Sequence, residues 1–300
     1  MWFKNLCLFQ LSEPLKLTPA ELEEALRRKP LTPCSGQTAS SRGWVPPRDE
    51  DGNGVEALLP HLMIALGTEQ KLLPASVINE EAKERARDFE AQRGYKPGRK
   101  QMRDIKDELT ATLLPRAFSK RRLTRAWLDG EQRWLVVDAA SATAAEELVE
   151  YLRDCVPELP SIQLLEPKLA LSATLSDWLG RFQAPGRFSI DDECELTGTD
   201  PEKSSVRYLR HALNTGEIRQ HITHGKRVAK LGLTWNDKLS FVVHDNLQIK
   251  KLKFLEMDRA DDAEGQEVDE AQQFEIDFSI MSGELRLMLG ELCEVAGVDQ

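Results

Sequence analysis

An α+β fold is the class this sequence predicts, and three observations carry it. Strand-like runs come as hairpins and a meander, capped amphipathic helices stand apart from them, and one pair of long helices is too charged to build its own core. At 300 residues the chain exceeds one typical domain, so two or three substructures are expected, with ample length to bury a core. A hydrophobic content of 41% and a charged content of 30% fit a soluble globular protein.

Taken in order, "WFKNLCLF" alternates as a first strand. It is broken by Lys4 and Asn5 and lacks a small-residue cleavage site, so it does not read as a signal peptide. In "LTPAELEEALRRKP", Thr18 stands as N-cap, Pro19 at the first helical position and Glu21 completes a capping box. "CSGQTASSRGWVPPRDEDGNG" (34–54) reads as a long loop rich in Gly, Ser and Pro, and "HLMIAL" as a strand. From Pro74, "PASVINEEAKERARDFEAQRG" and "GRKQMRDIKDELTATLLPRAF" read as two charged helices joined near "GYKPG". Their apolar seams are so narrow that they pair with each other as a projecting hairpin.

"RAWLDGEQRWLVVDA" follows as a β-hairpin, and "SATAAEELVEYLRDC" as an amphipathic helix capped by Ser141. "IQLLE" reads as a strand and "LSATLSDWLG" as a helix. Residues 187–213 read as strands, "TGEIRQHITHG" as a short helix, and residues 227–255 as a three-stranded meander. The C-terminal "DEAQQFEIDFSIMSGELRLMLGELCEVAG" reads as two helices, the second capped by Ser282. One internal echo stands out: "AWLDGEQRWLVVD" and "TWNDKLSFVVHD" are both Trp-bearing hairpins ending in a Val-Val strand, as a duplicated unit would be.

Several function classes lose support. No run approaches the eighteen apolar residues of a membrane span. Five scattered cysteines, an odd number with no CxxC, argue for reduced cytoplasmic thiols. "THGKRV" (223–228) has Arg227 where a phosphate loop needs a hydroxyl, and no glycine five residues before Gly225. His221 and His224 lie i, i+3 with His211 nearby, but no further ligand follows at metal spacing. Glu158, Glu166 and Lys168 loosely imitate the carboxylate–carboxylate–Lys arrangement of metal-dependent nucleases, though without the usual Asp and within an acidic stretch. Asp191, Asp192 and Glu193 are consecutive, and on a strand they alternate faces. A GxSxG elbow is absent. The expectation is a non-enzymatic protein with no cofactor and no metal.

The positive signal is charge segregation within a net charge of -10. Residues 83–125 carry 14 positive and 6 negative side chains, and residues 200–255 carry 11 and 5. Residues 126–199 carry 5 and 14, and residues 256–300 carry 2 and 14. Two basic blocks between acidic ones suggest sites for a polyanion, although each also suits a solvated face. Lys and Arg neutralise phosphates without reading sequence. Neither a helix-turn-helix nor a zinc finger nor the RNP aromatics of an RNA reader is present. Candidate DNA contacts are Arg93, Lys96, Arg99, Lys100, Arg103, Arg116, Lys120, Arg121, Arg122 and Arg125 in the first block. In the second they are Arg207, Arg210, His211, Lys226, Arg227, Lys230, Lys250, Lys251 and Lys253. Phe118, set among Arg116, Lys120, Arg121, Arg122 and Arg125, needs its own explanation.

The segments "MWFKNL", "LTPC" (31–34), "GWVPP" (43–47), "EQKLLP" (69–74), "LLPRAFS" (113–119), "KLGLTW" (230–235), "LKFLE" (252–256) and "MSGEL" (281–285) resemble, in order and spacing, the recombination-associated protein RdgC family. The resemblance implies a bacterial, cytoplasmic, nucleoid-associated protein whose curved, horseshoe-like subunits close into a ring-shaped homodimer. It implies binding to double-stranded DNA with little sequence preference, and antagonism of the recombinase RecA. Preference between double and single strands stays open, because few aromatics lie in the basic blocks.

On that pattern the chain divides into a central α+β region (1–73 and 121–166), a helical-hairpin tip (74–120) and a base α+β region with the C-terminal helices (167–300). Phe118, flanked by Arg116, would plug a pocket on the other subunit at the tip-to-tip gate; packing under its own hairpin is the alternative. A second interface would come from the 167–300 half. The basic blocks would face the hole, and acidic segments such as "EMDRADDAEGQEVDE" the outside. Arg210 and His211 match a polar or basic family position linked to DNA, with His211 departing from a permanent charge. Two rivals remain: a metal-dependent nuclease using Glu158, Glu166 and Lys168, and a structural assembly protein whose basic hairpin binds an acidic protein partner.

Overall fold

The computed structural model describes residues 2–48, 52–167, 171–199, 204–255 and 269–298. Strand β1 (Leu6–Leu11) is buried on both faces and joins the two halves of the molecule. On one side it pairs with β6 (Trp134–Asp138) and β7 (Ile162–Leu164). On the other it meets β12 (Ile249–Phe254) through Leu6 opposite Ile249 and the bond from Leu252 N to the Lys4 carbonyl.

The first half continues through β5 (Ser119–Asp129) and β4 (His61–Lys71) to β2 (Ser40–Val45), with β3 (Glu56–Leu58) beside β4. The second continues through β11 (Leu239–His244), β10 (Arg227–Trp235) and β8 (Phe188–Thr197) to β9 (Ser205–Tyr208). Every pairing between these strands is antiparallel, giving a mixed α/β molecule built on one 12-stranded sheet.

The two Trp-bearing hairpins fall at equivalent places in this order. Strands β6 and β5 are second and third outward from the join on one side, and β11 and β10 on the other. The β10–β11 turn places Asn236 and Asp237 at φ 51° and 56°, the left-handed pair that suits a tight hairpin.

Helices cover opposite faces of the two halves. Helix α1 (Pro19–Leu26) carries the expected capping box, with Thr18 Oγ1 accepting from Glu21 N. Helix α4 (Ala142–Cys155) starts at Ser141, whose Oγ accepts from Ala144 N at 3.2 Å. Both pack over Phe9, Ile64, Leu128 and Val137. On the other face α5 (Leu171–Arg181), α6 (Gly216–Thr223) and α7 (Glu270–Val295) bury Trp178, Ile218, Phe278 and Leu289 against Leu231, Trp235, Phe241 and Val243. The charged pair is present as α2 (Ala75–Arg93) and α3 (Arg99–Leu113), which bury only Ala82 and Leu109 respectively.

Two expectations are corrected. The stretch read as a long loop contains β2, whose six residues pair with Ala65–Gln70 of β4. Its Gly and Ser residues hide a strand signal, and Gly43, registered opposite Gly67, lies under the Pro30–Leu31 backbone where no side chain fits. A Cβ on Gly43 would stand 2.2 Å from Leu31 N. Gly43→Ala is therefore expected to destabilise by about 1–3 kcal/mol through forced backbone shifts, read by urea unfolding; an unchanged midpoint would contradict this.

The C-terminal region is one helix of 26 residues, not two. Ser282 sits inside it and donates back to the Phe278 carbonyl at 2.7 Å instead of capping. Burial of Phe274, Phe278, Met281, Leu285, Met288 and Leu292 along one stripe overrides the local break suggested by Ser282-Gly283.

Candidate nucleic-acid interface

The first basic block is two sites, not one. Arg93 ends α2, Arg99 and Lys100 open α3, and Lys96 lies between them; all four are exposed at the far turn of the hairpin. Gly94, at φ 78°, closes α2, and Phe89 meets Tyr95 edge-on at 5.5 Å. Arg103 follows, with Asp107 3.8 Å away. The 15 residues of α3 then carry the chain about 22 Å, at 1.5 Å per residue, back to Arg116, Phe118 and Lys120 at the hairpin's root.

There Lys71 Nζ donates to the Ala117 carbonyl at 3.0 Å and Leu72 N to the Phe118 carbonyl at 2.7 Å. These bonds fix the backbone while the Phe118 side chain stays 86% exposed, near the exposed Leu72. Packing beneath its own hairpin is thus not where the Phe118 ring lies.

Along β5, alternation sends Lys120 and Arg122 to one face and Arg121 and Arg125 to the other. Arg121 Nε donates to Glu69 Oε2 at 2.9 Å, and that bond, with one from Cys34 N, holds the Glu69 carboxyl below its usual value. Arg125 donates to the Pro47 carbonyl at 2.8 Å, and burial lowers its pKa, so this guanidinium is committed to the fold. Arg93, Lys96, Arg99, Lys100, Arg116, Lys120 and Arg122 have no ion-pair partner among the described residues.

The second block lies on and around the sheet face that α5, α6 and α7 leave open. Here strand alternation brings β8 carboxylates among the cations. Lys251 Nζ donates to Glu193 at 2.6 Å and Arg207 to the same carboxylate at 3.2 Å; Lys230 Nζ donates to Glu195 at 2.8 Å. Lys226 is held by the Ser204 carbonyl and hydroxyl, at 2.9 and 2.6 Å, and Lys250 by the Ala140 carbonyl at 2.8 Å.

An open groove of about 620 Å³ is lined by Asp191, Glu193, Arg210, Val242, Lys251 and Lys253. Asp191 accepts from Thr234 and Ser240 hydroxyls, and burial raises its carboxyl pKa. Arg210 adopts φ 52° in the turn after β9, and His211 Nδ1 faces the Ala212 carbonyl at 2.9 Å. Arg210, Arg227 and Lys253 have no ion-pair partner among the described residues.

His244, opposite Lys230, is pushed down to about 4 by burial, then by the Lys230 and Lys250 charges, with Glu195 and Glu193 opposing. An ordinary histidine in the unfolded chain titrates near 6.5. Below that pH the unfolded state takes up a proton that the folded state refuses until about 4, so stability is lost across this window as pH falls. His244→Gln is expected to flatten that part of the melting-temperature profile between pH 7 and 4.5. A variant profile parallel to the parent's would contradict the assignment.

The other chemical candidates are not assembled. Glu158 and Glu166 are exposed on either side of β7, and Lys168 lies outside the described residues. The acidic stretch 256–268 lies outside them as well. Among the described residues no group of three or more His, Cys, Asp or Glu side chains is placed to hold a metal. His211 and His221 instead flank Tyr208 at 5.4 and 6.4 Å. "THGKRV" runs from the end of α6 into β10, with Gly225 at φ 92°, the reverse of the strand-to-helix order of a phosphate loop. No helix among the described residues is long and apolar enough to cross a membrane. Sequence reasoning missed the β8 counter-charges. Their signal was the i, i+2 spacing of Asp191, Glu193 and Glu195, which puts all three on one strand face.

Comparison with known proteins gives a consistent result along the whole chain. The family model described as "Putative exonuclease, RdgC" matches residues 1–299. The chain is 45% identical over 300 residues to the recombination-associated protein RdgC of Dechloromonas aromatica (strain RCB), covering 99% of this chain and 98% of that protein. It is 42% identical over 297 residues to that of Cupriavidus pinatubonensis (strain JMP 134 / LMG 1197), covering 99% and 98%. With the protein of Herminiimonas arsenicoxydans it shares 41% identity over 301 residues, covering 100% and 99%.

Proposed function

Because the chain belongs to the RdgC family, we propose that it is a non-enzymatic DNA-binding protein of recombination, a ring-forming homodimer that occupies duplex DNA and so limits RecA filaments. Its relatives carry the name recombination-associated protein. The observation that carries the reading is Phe118, 86% exposed at the root of the α2–α3 hairpin. A large apolar ring standing in water between Arg116 and Lys120 fits a surface completed by a second copy of the chain. The local backbone is held by bonds to the Ala117 and Phe118 carbonyls, so the exposed Phe118 ring adds little to holding its hairpin.

One such gate, formed by Phe118 of both copies, lies on the two-fold axis, and a second self-complementary patch in the 167–300 half closes the other end. The cations without intramolecular partners then supply phosphate contacts, a sequence-independent source of affinity. The brake on recombination is steric, and requires neither cofactor nor metal.

RecA-driven strand exchange, titrated with this protein at fixed DNA, tests the reading. Inhibition should begin as the duplex becomes saturated, and the DNA should remain full-length in magnesium. Strand exchange that proceeds unimpeded on saturated DNA contradicts the proposal. Progressive shortening of the DNA would instead favour the exonuclease activity in the family's description.

A further inference from the structure

The β8 carboxylates raise a question that the DNA-binding reading leaves open. Glu193 and Glu195 lie on alternate residues of one strand, directed to the sheet face that carries the second basic block. Their side chains are 18% and 23% exposed, against 53% and 50% for Lys251 and Arg207 and 34% for Lys230, so each carboxylate is more enclosed than the cations it holds.

Glu193 receives two cations, Lys251 and Arg207, and Glu195 receives Lys230. Within the face, Lys230 is registered opposite both Glu195 on β8 and His244 on β11. These pairs link neighbouring strands of an already complete sheet, and exposed ion pairs of this kind contribute about 0–1 kcal/mol to stability. Their larger effect is on what the face presents to an anion.

Resting on the DNA-binding reading, we propose that Glu193 and Glu195 are built-in counterions that mask Arg207, Lys230 and Lys251. A polyanion must compete with these carboxylates for the same N–H donors when the second block engages it. The occupant this selects is duplex DNA. One phosphate charge per about 1.7 Å of helix axis competes for several cations at once, which an isolated phosphate or a sparsely charged acidic peptide does not. Masking also lowers the number of counterions that DNA releases here, so this half of the protein contributes a shallower salt dependence than its cations alone would give. Arg210 and Lys253, beside the same groove, have no such pairing and make the first contact.

The test is duplex binding by fluorescence anisotropy over a salt series, using the full chain, a Glu193→Gln/Glu195→Gln variant, and Glu147→Gln/Glu150→Gln, two exposed carboxylates of α4, as a control of equal net charge. The double variant is expected to bind about tenfold tighter at moderate salt, with the slope of log K against log salt steeper by about 2 per chain engaged. The control should stay close to the parent. If the Glu193→Gln/Glu195→Gln variant behaves like the control while the parent binds DNA, masking is wrong and the DNA-binding reading stands. If the parent binds no duplex even at low salt, the DNA-binding reading itself fails.

Should the double variant not fold, Lys230→Gln alone and with Glu195→Gln decides the matter. Lys230→Gln should cost less than about twofold in affinity in the parent but about fivefold in the Glu195→Gln background. Equal costs would overturn the proposal.

Discussion

A Phe118→Ala chain is expected to melt within about 2 °C of its parent, yet to lose closed circular DNA far faster under a high-salt challenge. The small thermal effect follows from exposure: at 86% exposed, the ring contributes little to its own chain's core. The large effect follows from the proposed gate. Burying a Phe side chain is worth about 1.5–3 kcal/mol, so two rings lost from one gate shift its closed–open balance by about 100-fold or more. Linear DNA, which leaves by its ends, should show a smaller difference. Phe118→Leu should retain most of the grip, because it preserves apolar volume. Unchanged retention of circles by Phe118→Ala would remove the gate, and a large fall in melting temperature would mean that the ring packs within its own chain.

A second large effect concerns the half of the molecule that carries the second basic block. Trp235→Ala is expected to cost about 3–5 kcal/mol in chemical unfolding, the range for emptying a large buried aromatic site. Trp235 is fully buried at the end of β10, its indole Nε1 donates to Glu291 Oε2 at 2.8 Å, and the Arg187 guanidinium lies 4.3 Å from its ring. Truncation thus opens a cavity and strips a partner from both charged groups, which also pair with each other. Trp235→Phe keeps most of the volume and should cost less. A loss below about 1 kcal/mol for Trp235→Ala would mean that α7 does not depend on this contact.

What could be read from the sequence was local. The Thr18–Glu21 capping box, the Ser141 cap and the Trp127–Trp134 hairpin depend on residues within a few positions of one another, and each is present in the fold. The charged pair α2–α3 was legible for the same reason, since its narrow apolar seam leaves only Ala82 and Leu109 buried. Strand β2 was hidden because its identity comes from β4, twenty or more residues away, and from the approach of the Pro30–Leu31 backbone to Gly43, which carries no side-chain pattern. The unbroken α7 was hidden because long-range burial of its stripe outweighs the local signal of Ser282.

The candidate interface divides the same way. Its cations were visible as two runs of positive charge. Their partition was not: α3 separates Arg99 from Arg116 by the length of a helix, alternation splits Lys120 from Arg121, and antiparallel pairing sets Glu195 beside Lys230.

The central claim is that this chain holds DNA through phosphates and not through base sequence. Binding of several unrelated duplexes of equal length, followed by fluorescence anisotropy across a salt series, tests it most directly. The expected result is a set of dissociation constants agreeing within about threefold at each salt concentration. Each should rise steeply with salt, with log K falling linearly against log salt by roughly 0.9 per phosphate neutralised. Affinity that tracks base sequence, or no binding at low salt, would contradict the account.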